Sequence, residues 1–461
     1  MAEVLRVTGG TLVRGPSKRA CRRLSTDTRS IRRGDWFVAL VGEHFDGHDF
    51  LSQAVERGAA SFVLSRLPSD FEVSARFCVV LVDDTLRALG AITAEWRRRI
   101  PVRVIGVTGS SGKTTTKDLL GAMMTAHAPT LVTKGNFNNL IGVPWQLQRL
   151  GPHHHWAVLE IGMNAPGEID TLAAMIQPCI GLITNVGEAH SGMFPNGARG
   201  VFEAKAELIA HIEEGGALVL NADDGESTRE LARRAERRGL RVVRFGMRPG
   251  RGVDLWVEAV RPFGLGGHRV TLADATGRVE VALTVFGRCN VANLAAAAAA
   301  ARTAGVPLEA IPAGMLRFRP SRLRSRVQRL GRVAVLVDCY NANPQSMAEA
   351  LSALGEIRAE GKKIAVLGDM FELGKGSAAA HRRMGRAVLA AGVDHLVTFG
   401  KEARRIAEGA KGVDSRHFDS PQACAAHIQR MLRAGDVVLI KGSRAMAMER
   451  ILDSLREVRR R

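Results

Sequence analysis

Residues 102–118 run VRVIGVTGSSGKTTTKD. The opening VRVIGVTG is apolar and β-branched, the pattern of a buried parallel strand, and TTTKDLLGAMM then carries apolar residues at helical spacing. Between them stand Gly109, Gly112, Lys113 and Thr114. Glycines let backbone N–H groups wrap a polyphosphate at a helix N-terminus, a lysine reaches the outer phosphates, and a threonine hydroxyl can ligate Mg2+. The strict phosphate-loop spacing is not met, because Val107 stands where its first glycine belongs; what remains is the shorter G-x-x-G-K-T of Gly109 to Thr114. A plain glycine turn in an α/β fold is the competing reading, and the flanking strand and helix favour the nucleotide loop.

Outward from this loop the chain alternates strand-like and helical runs. Before it, DWFVAL, SFVLS and CVVLVDD surround one helical pattern, HDFLSQAVERGA, giving a small α/β unit over residues 1–84. A helix, TLRALGAITAEWRRRI, opens a central region, 85–318, with further strands HWAVLEIG, CIGLITNVG, GALVLN and RVVRFG. That alternation predicts a largely parallel, doubly wound sheet. The alanine-rich NVANLAAAAAAARTAG is a strong helix former that closes the region, and RFRPSRLRSRVQRL reads as a basic connector at the second boundary. VAVLVDCY, KIAVLGDM, HLVTFG and DVVLIKG then predict a separate Rossmann-like α/β domain over 319–461.

Composition narrows the function classes. Hydrophobic residues at 46% and charged residues at 24% suit a soluble globular chain. No apolar run reaches the roughly 18 residues of a membrane span, and the N-terminus lacks a signal-peptide pattern, so the expected location is the cytoplasm. Six scattered cysteines without a C-x-x-C pair suit reduced thiols. The run HHHW at 153–156 has metal-ligand and polar-loop readings, the loop being preferred. Lys and Arg total 65 against 46 Asp and Glu, a formal charge of +19, which raises nucleic-acid binding. Aromatic content of 5% with one tyrosine leaves few stacking platforms. The basic clusters are dispersed, so a solvated arginine-rich surface that also favours anionic small substrates is the preferred reading, with no nucleic-acid partner.

Ligands of open α/β sheets collect beyond the carboxyl ends of strands. Glu160 ends AVLEIG, His190 follows LITNVGEAH, and Thr114 follows the loop lysine; together they suit Mg2+ against ATP phosphates, while each alone is equally an ordinary surface group. Nothing in the local pattern sets Lys205 apart from a helix-surface lysine.

Beyond these features the chain resembles the Mur ligases of peptidoglycan synthesis along essentially its whole length. The resemblance is carried by STDTRSIRRGDWFVALVGEHFDGHDF, TGSSGKTTTKD, GNFNNLIGVPW, LEIGMNAPGEI, TNVGEAHSGMF, EAKAELI, GRCNVANLAAAAA, VDCYNANPQSM, VLGDMFELG and DVVLIKGSRAMAMERIL. The short G-x-x-G-K-T loop is this family's form. GNFNNLIGVPW, YNANPQSM, LGDMFELG and KGSRAMAMER are similar to the member that joins D-alanyl-D-alanine to a UDP-N-acetylmuramoyl tripeptide, and they argue against sister ligases or folylpolyglutamate-type ligases.

The resemblance implies roles position by position. Gly109, Ser110, Ser111, Gly112, Lys113, Thr114 and Thr115 would serve ATP, joined by Asn290, Asn293, Arg326, Asp338, Tyr340 and Asn341. Lys113, Lys205, Arg326 and Asp338 would be catalytic. Thr114, Glu160, His190 and Lys205 as a carbamate would hold Mg2+. Ser25, Thr26, Asp27, Thr28, Arg29, Phe37, Asp46, Gly47 and His48 would hold the UDP-sugar, and Asn136, Asn138 and Asn139 the reacting end of the substrate. A monomer is expected. Four positions depart from the family's usual residues: Ala165 and Cys289 for histidine, Ser325 for glycine and Cys339 for serine.

Overall fold

The computed structural model describes residues 1–69, 71, 74, 76–187, 194 and 196–458. Three sheets organise the chain. The first has five strands in the order Thr11–Arg14, Cys78–Leu81, Ser61–Leu64, Trp36–Val38, Leu24–Ser25, parallel except for the first pair. Its interior is built from the predicted runs: Trp36, Val38, Val63 and Val80 pack on one face, and Phe37, Phe62, Leu64 and Val79 on the other.

The central sheet has nine strands, ordered Gly277–Leu283, Gly267–Asp274, Leu255–Phe263, Arg241–Gly246, Ala217–Asn221, Ile180–Ile183, Arg103–Thr108, Trp156–Glu160, Thr130–Val132. The five runs read from sequence are its parallel core. Most are legible because a strand covered on both faces is apolar along nearly its whole length; Arg241–Gly246, with two arginines and only its last two residues buried, is the exception. The antiparallel meander over 255–283 was not anticipated; its burial alternates, as a half-exposed sheet requires. The alanine helix Cys289–Thr303 is buried throughout residues 293–301. Side chains that small allow close contact with Lys113–His127, the helix that begins at the glycine loop.

The third sheet runs Arg326–Leu330, Val333–Val337, Val437–Lys441, Lys363–Gly368, His395–Phe399, Asp414–Phe418. Two of its strands correct the sequence reading. The end of the basic connector is an antiparallel edge strand, Arg326–Leu330, and the polar DSRHF closes the opposite edge. Edge strands expose one side, so their polar composition hides them from a pattern based on burial.

No helix among the described residues is long and apolar enough to cross a membrane. The six cysteines are free thiols. The HHHW run leads from a turn into strand Trp156–Glu160; the His153 and His154 ring centroids lie 3.9 Å apart with the rings tilted by 39°, and His154 Nδ1 accepts the Gly151 N–H.

Candidate active site

The glycine loop is formed as its residue types require. The strand ends at Thr108, Gly109 takes φ 148° and Gly112 φ 77°, and the helix starts at Lys113. Both glycines are also needed for space: a Cβ on Gly109 would stand 2.0 Å from Thr184 Oγ1, and one on Gly112 would stand 2.1 Å from Asn293 Oδ1. Asn293 is held by its Nδ2 donating to Asn290 Oδ1 at 2.9 Å, while Asn290 Nδ2 donates to the Phe286 carbonyl at 2.7 Å. Gly112→Ala is therefore expected to cost about 1–3 kcal/mol through overpacking of this junction, read by urea unfolding; an unchanged midpoint would show that the junction yields.

Thr184 and Asn185, directly after strand Ile180–Ile183, brace the loop from below. Thr184 Oγ1 donates to the Ser111 carbonyl at 2.6 Å, Ser111 N donates to Asn185 Oδ1 at 3.0 Å, and Ser110 Oγ donates to the Gly187 carbonyl at 3.0 Å. Sequence reasoning passed over these two residues although their strand-end position was a usable signal. Lys113 Nζ donates to the Gly109 carbonyl at 2.7 Å. Crowding by protein atoms lowers its pKa, with Glu160 opposing the shift and Arg324 adding to it.

Glu160 is 1% exposed at the end of its strand. Its Oε1 accepts Thr114 Oγ1 at 3.0 Å and Asn138 Nδ2 at 2.7 Å, whereas its buried Oε2 has no partner. A buried carboxylate oxygen without a donor is costly unless a cation meets it, so Thr114 and Glu160 fit a hard divalent ion. Among the described residues no three His, Cys, Asp or Glu side chains converge as a ready metal site. His190 lies outside the described residues. Lys205 is 1% exposed on helix Gly197–Ala206, so it is a core residue and not the surface lysine its local pattern suggests. Burial first, then the charge of Lys113, holds its amine well below the usual lysine range. An amine that is neutral and buried is the form that adds CO2.

The opposite wall of the cleft comes from the third sheet. A cavity of about 530 Å³ is lined by the glycine loop, Asn136, Asn138, Asn139, Glu160, Asn290 and Asn293 on one side, and by Arg324, Asp338, Tyr340 and Asn341 on the other. The arginine there corrects the sequence assignment. Arg326 opens an edge strand, is exposed and lies outside the cleft lining, whereas Arg324 lines the cleft with its guanidinium 3.9 Å over the Tyr340 ring. A left-handed residue between them, Ser325 at φ 42°, separates their directions. Asp338 is likewise engaged on both oxygens: Oδ1 accepts Ser325 N at 3.0 Å and Oδ2 pairs with Lys441 Nζ at 2.5 Å.

The first-sheet residues stand apart from this cleft. Ser25, Asp27 and Ser30 form a bonded turn, Asp27 caps the turn Thr28–Ser30 and pairs with exposed Arg29, and Thr26 Oγ1 accepts Trp145 Nε1 of the central domain at 3.3 Å. Phe37 and His48 are buried, as Ser25 and Thr28 are. Phe37 is 1% exposed within the core. The ring of buried His48 meets Asp46 through Nδ1 at 2.6 Å and accepts Ser65 N through Nε2 at 3.1 Å. Gly47 packs where a Cβ would reach Ala39 backbone at 2.8 Å. Burial alone would raise the Asp46 pKa, but bonds from His48 and Arg66 outweigh it and hold the carboxyl at about 2. A depressed carboxyl stabilises the fold above its unfolded value near 3.8 and loses that contribution as pH falls toward 2. Asp46→Asn should flatten that part of the acid-unfolding curve; an unchanged curve would remove Asp46 from the account.

Glycine loop, strand-end carboxylate and a facing wall from another sheet define the class: a phosphate-loop, nucleotide-using α/β enzyme with its cleft between two sheets. Family models place it further. Residues 21–97 match the Mur ligase family catalytic domain, 107–301 the Mur ligase middle domain, and 325–444 the Mur ligase glutamate ligase domain. The chain belongs to the Mur ligase family, and it is an amide-forming, ATP-using ligase. It is 37% identical over 438 residues to the UDP-N-acetylmuramoyl-tripeptide–D-alanyl-D-alanine ligase of Escherichia coli, covering 94% of this chain and 93% of that one. A crystal structure of MurF from Acinetobacter baumannii superposes with TM-score 0.88 at 33% identity, covering 99% and 98% of the two chains. MurF of Thermotoga maritima, solved in complex with ADP, gives TM-score 0.83 at 28% identity over 96% and 99%.

Proposed function

We infer that this protein joins D-alanyl-D-alanine to the terminal carboxylate of a UDP-N-acetylmuramoyl tripeptide at the expense of ATP, yielding the pentapeptide precursor of peptidoglycan, ADP and phosphate. The observation that carries the reading is the single cleft in which the glycine loop of the central sheet faces Arg324 and Asn341 of the third, in a chain that relatives of that name match end to end.

A carboxylate is a poor acylating agent because it would have to expel oxide. Transfer of the ATP γ-phosphoryl group gives an acyl phosphate, which expels phosphate instead. The dipeptide amine attacks this anhydride, and the tetrahedral intermediate collapses to the amide. Backbone N–H groups of 109–114 cradle the phosphates, Lys113 neutralises the transferring group, and Arg324 approaches it from the third sheet. Mg2+, held by Thr114 and Glu160, would supply charge neutralisation on the phosphate oxygens. His190 and a carbamate on Lys205 would complete that ligand set, the carbamate adding two hard oxygens. Asn138, through its bond to Glu160, orients the metal carboxylate, and Asn136 and Asn139 face the acceptor. Ser25 to Arg29 with Asp46 frame the nucleotide-sugar end. Holding amine and anhydride in register can supply about 7–11 kcal/mol of the barrier, and closure of the domains, taken as 1–84, 85–318 and 319–461, excludes the water that would hydrolyse the anhydride. We place the enzyme in the cytoplasm as a monomer.

The test is phosphate release with UDP-muramoyl tripeptides ending in diaminopimelate or lysine, each with and without D-alanyl-D-alanine. Release should need both substrates, and an 18O label in the tripeptide carboxylate should appear in the phosphate. Turnover stimulated by polynucleotide and indifferent to the dipeptide would overturn the reading.

A further inference from the structure

One buried charge has no place in the scheme above. Lys441 ends the strand Val437–Lys441, is 1% exposed, and spends its ammonium on Asp338 Oδ2 at 2.5 Å, the Asn341 carbonyl at 3.1 Å and the Asp338 carbonyl at 3.4 Å. All three acceptors lie just beyond strand Val333–Val337, on the wall of the cleft. The other Asp338 oxygen takes the Ser325 N–H at 3.0 Å. Ser325 holds φ 42°, a left-handed conformation that side chains other than glycine adopt at a cost. Its carbonyl accepts the Phe286 N–H of the central domain at 3.2 Å, so the turn stands at the junction of the two domains. One residue before it, Arg324 lies over the Tyr340 ring, and Tyr340 N donates to the Leu323 carbonyl at 3.1 Å.

A buried ion pair is by itself weak evidence for stability, since desolvation offsets most of the attraction. Its value here is geometric. Asp338 and Asn341 are tethered to one point, Asp338 also accepts the N–H of the serine turn, and on the two sides of that turn Arg324 lines the cleft while Arg326 is exposed. We propose that Lys441 is a positioning residue for phosphoryl transfer, acting through Asp338 and the left-handed turn at Ser325 to aim Arg324 into the cleft. The proposal rests on the phosphate-facing reading of Arg324.

A double-mutant cycle on the full chain separates the two. Arg324→Ala should lower kcat by about 10²–10³-fold, the scale of removing one transition-state donor. Lys441→Met should lower kcat by roughly 10- to 100-fold, the scale of misplacing a reacting group by about 1 Å, with KM for ATP little changed. The double variant should be no slower than Arg324→Ala, because a lysine that works through Arg324 has nothing left to aim. Adding Ser325→Gly to Lys441→Met should restore part of kcat, since glycine adopts φ near 42° without the steric cost that serine meets there. If Lys441→Met fails to fold, Lys441→Met with Asp338→Asn removes both buried charges, keeps an acceptor for Ser325 N–H, and should show the same non-additivity. Effects that multiply across the cycle would sink the positioning role while leaving Arg324 in place. Near-normal turnover by Arg324→Ala would sink the reading of Arg324 itself.

Discussion

Lys113→Ala is expected to lose ligation by about 10³-fold while keeping its fold, the scale of deleting a preorganised cation from a phosphoryl-transfer site. The structural cost is small because Lys113 is partly exposed and its ammonium holds a bond to its own loop, to the Gly109 carbonyl at 2.7 Å. A single bond of that kind contributes about 1 kcal/mol. The functional cost is large because Lys113 is the first residue of helix Lys113–His127, placed by Gly112 at φ 77° so that its side chain returns over the loop. No neighbour can replace it: Lys117, four residues on, is buried and bonded to Asp118 and the Thr133 carbonyl. Lys113→Arg should fail too, since a planar fork does not reproduce a compact ammonium between loop and phosphate. Circular dichroism and melting temperature establish the fold, and phosphate release establishes the loss; near-normal product formation by folded Lys113→Ala would remove the phosphate loop from the mechanism.

The second large effect concerns Lys205. Lys205→Ala should lose activity by about 10²-fold or more, and formate or acetate should restore part of it by supplying a carboxylate where the carbamate would stand. A merely structural lysine would lose stability and gain nothing from the acid. Here the reverse balance is expected, because among the described residues no hydrogen bond or ion pair holds the Lys205 amine, and burial beside Lys113 disfavours its charged form. The folded amine sits well below its unfolded value of 10.5. Between those two values the unfolded chain binds the extra proton, so wild-type stability should rise with pH across that window, and Lys205→Ala should lose the slope. Melting temperatures against pH in bicarbonate-free buffer measure this without any turnover. Equal slopes in the two proteins would show that the amine is not perturbed, and failure of every short acid to rescue would count against the carbamate.

The parts of the molecule that sequence reasoning reached share one physical property: their determinants are local. A strand apolar at every position, a glycine pair before a lysine, and an alanine run declare themselves within about 15 residues, and they located the parallel cores of all three sheets and the phosphate loop. The parts it missed are half-exposed or set by distant neighbours. The meander at 255–283 and the edge strands at 326–330 and 414–418 carry polar faces. Thr184 and Asn185 matter only because their strand lies beside the loop strand.

Arg324 and Arg326 illustrate the limit most sharply. They are chemically identical and two residues apart in a basic run, and what separates cleft from solvent lies elsewhere in the chain: Asp338, thirteen positions on, accepts the N–H of the left-handed serine between them, and the Tyr340 ring meets Arg324. Lys205 is the same case at the level of burial, since a helix-surface pattern and a fully buried amine differ by what packs against the helix. The amino-acid sequence alone thus determined the three α/β units and the form of the loop, because hydrophobic period and glycine conformation act at short range, and its motifs carried the resemblance to the family. Which arginine lines the cleft, which acid is left with a bare oxygen and which lysine has its pKa pulled down by burial were decided by tertiary structure, because desolvation and hydrogen-bond satisfaction depend on atoms brought together from remote parts of the chain.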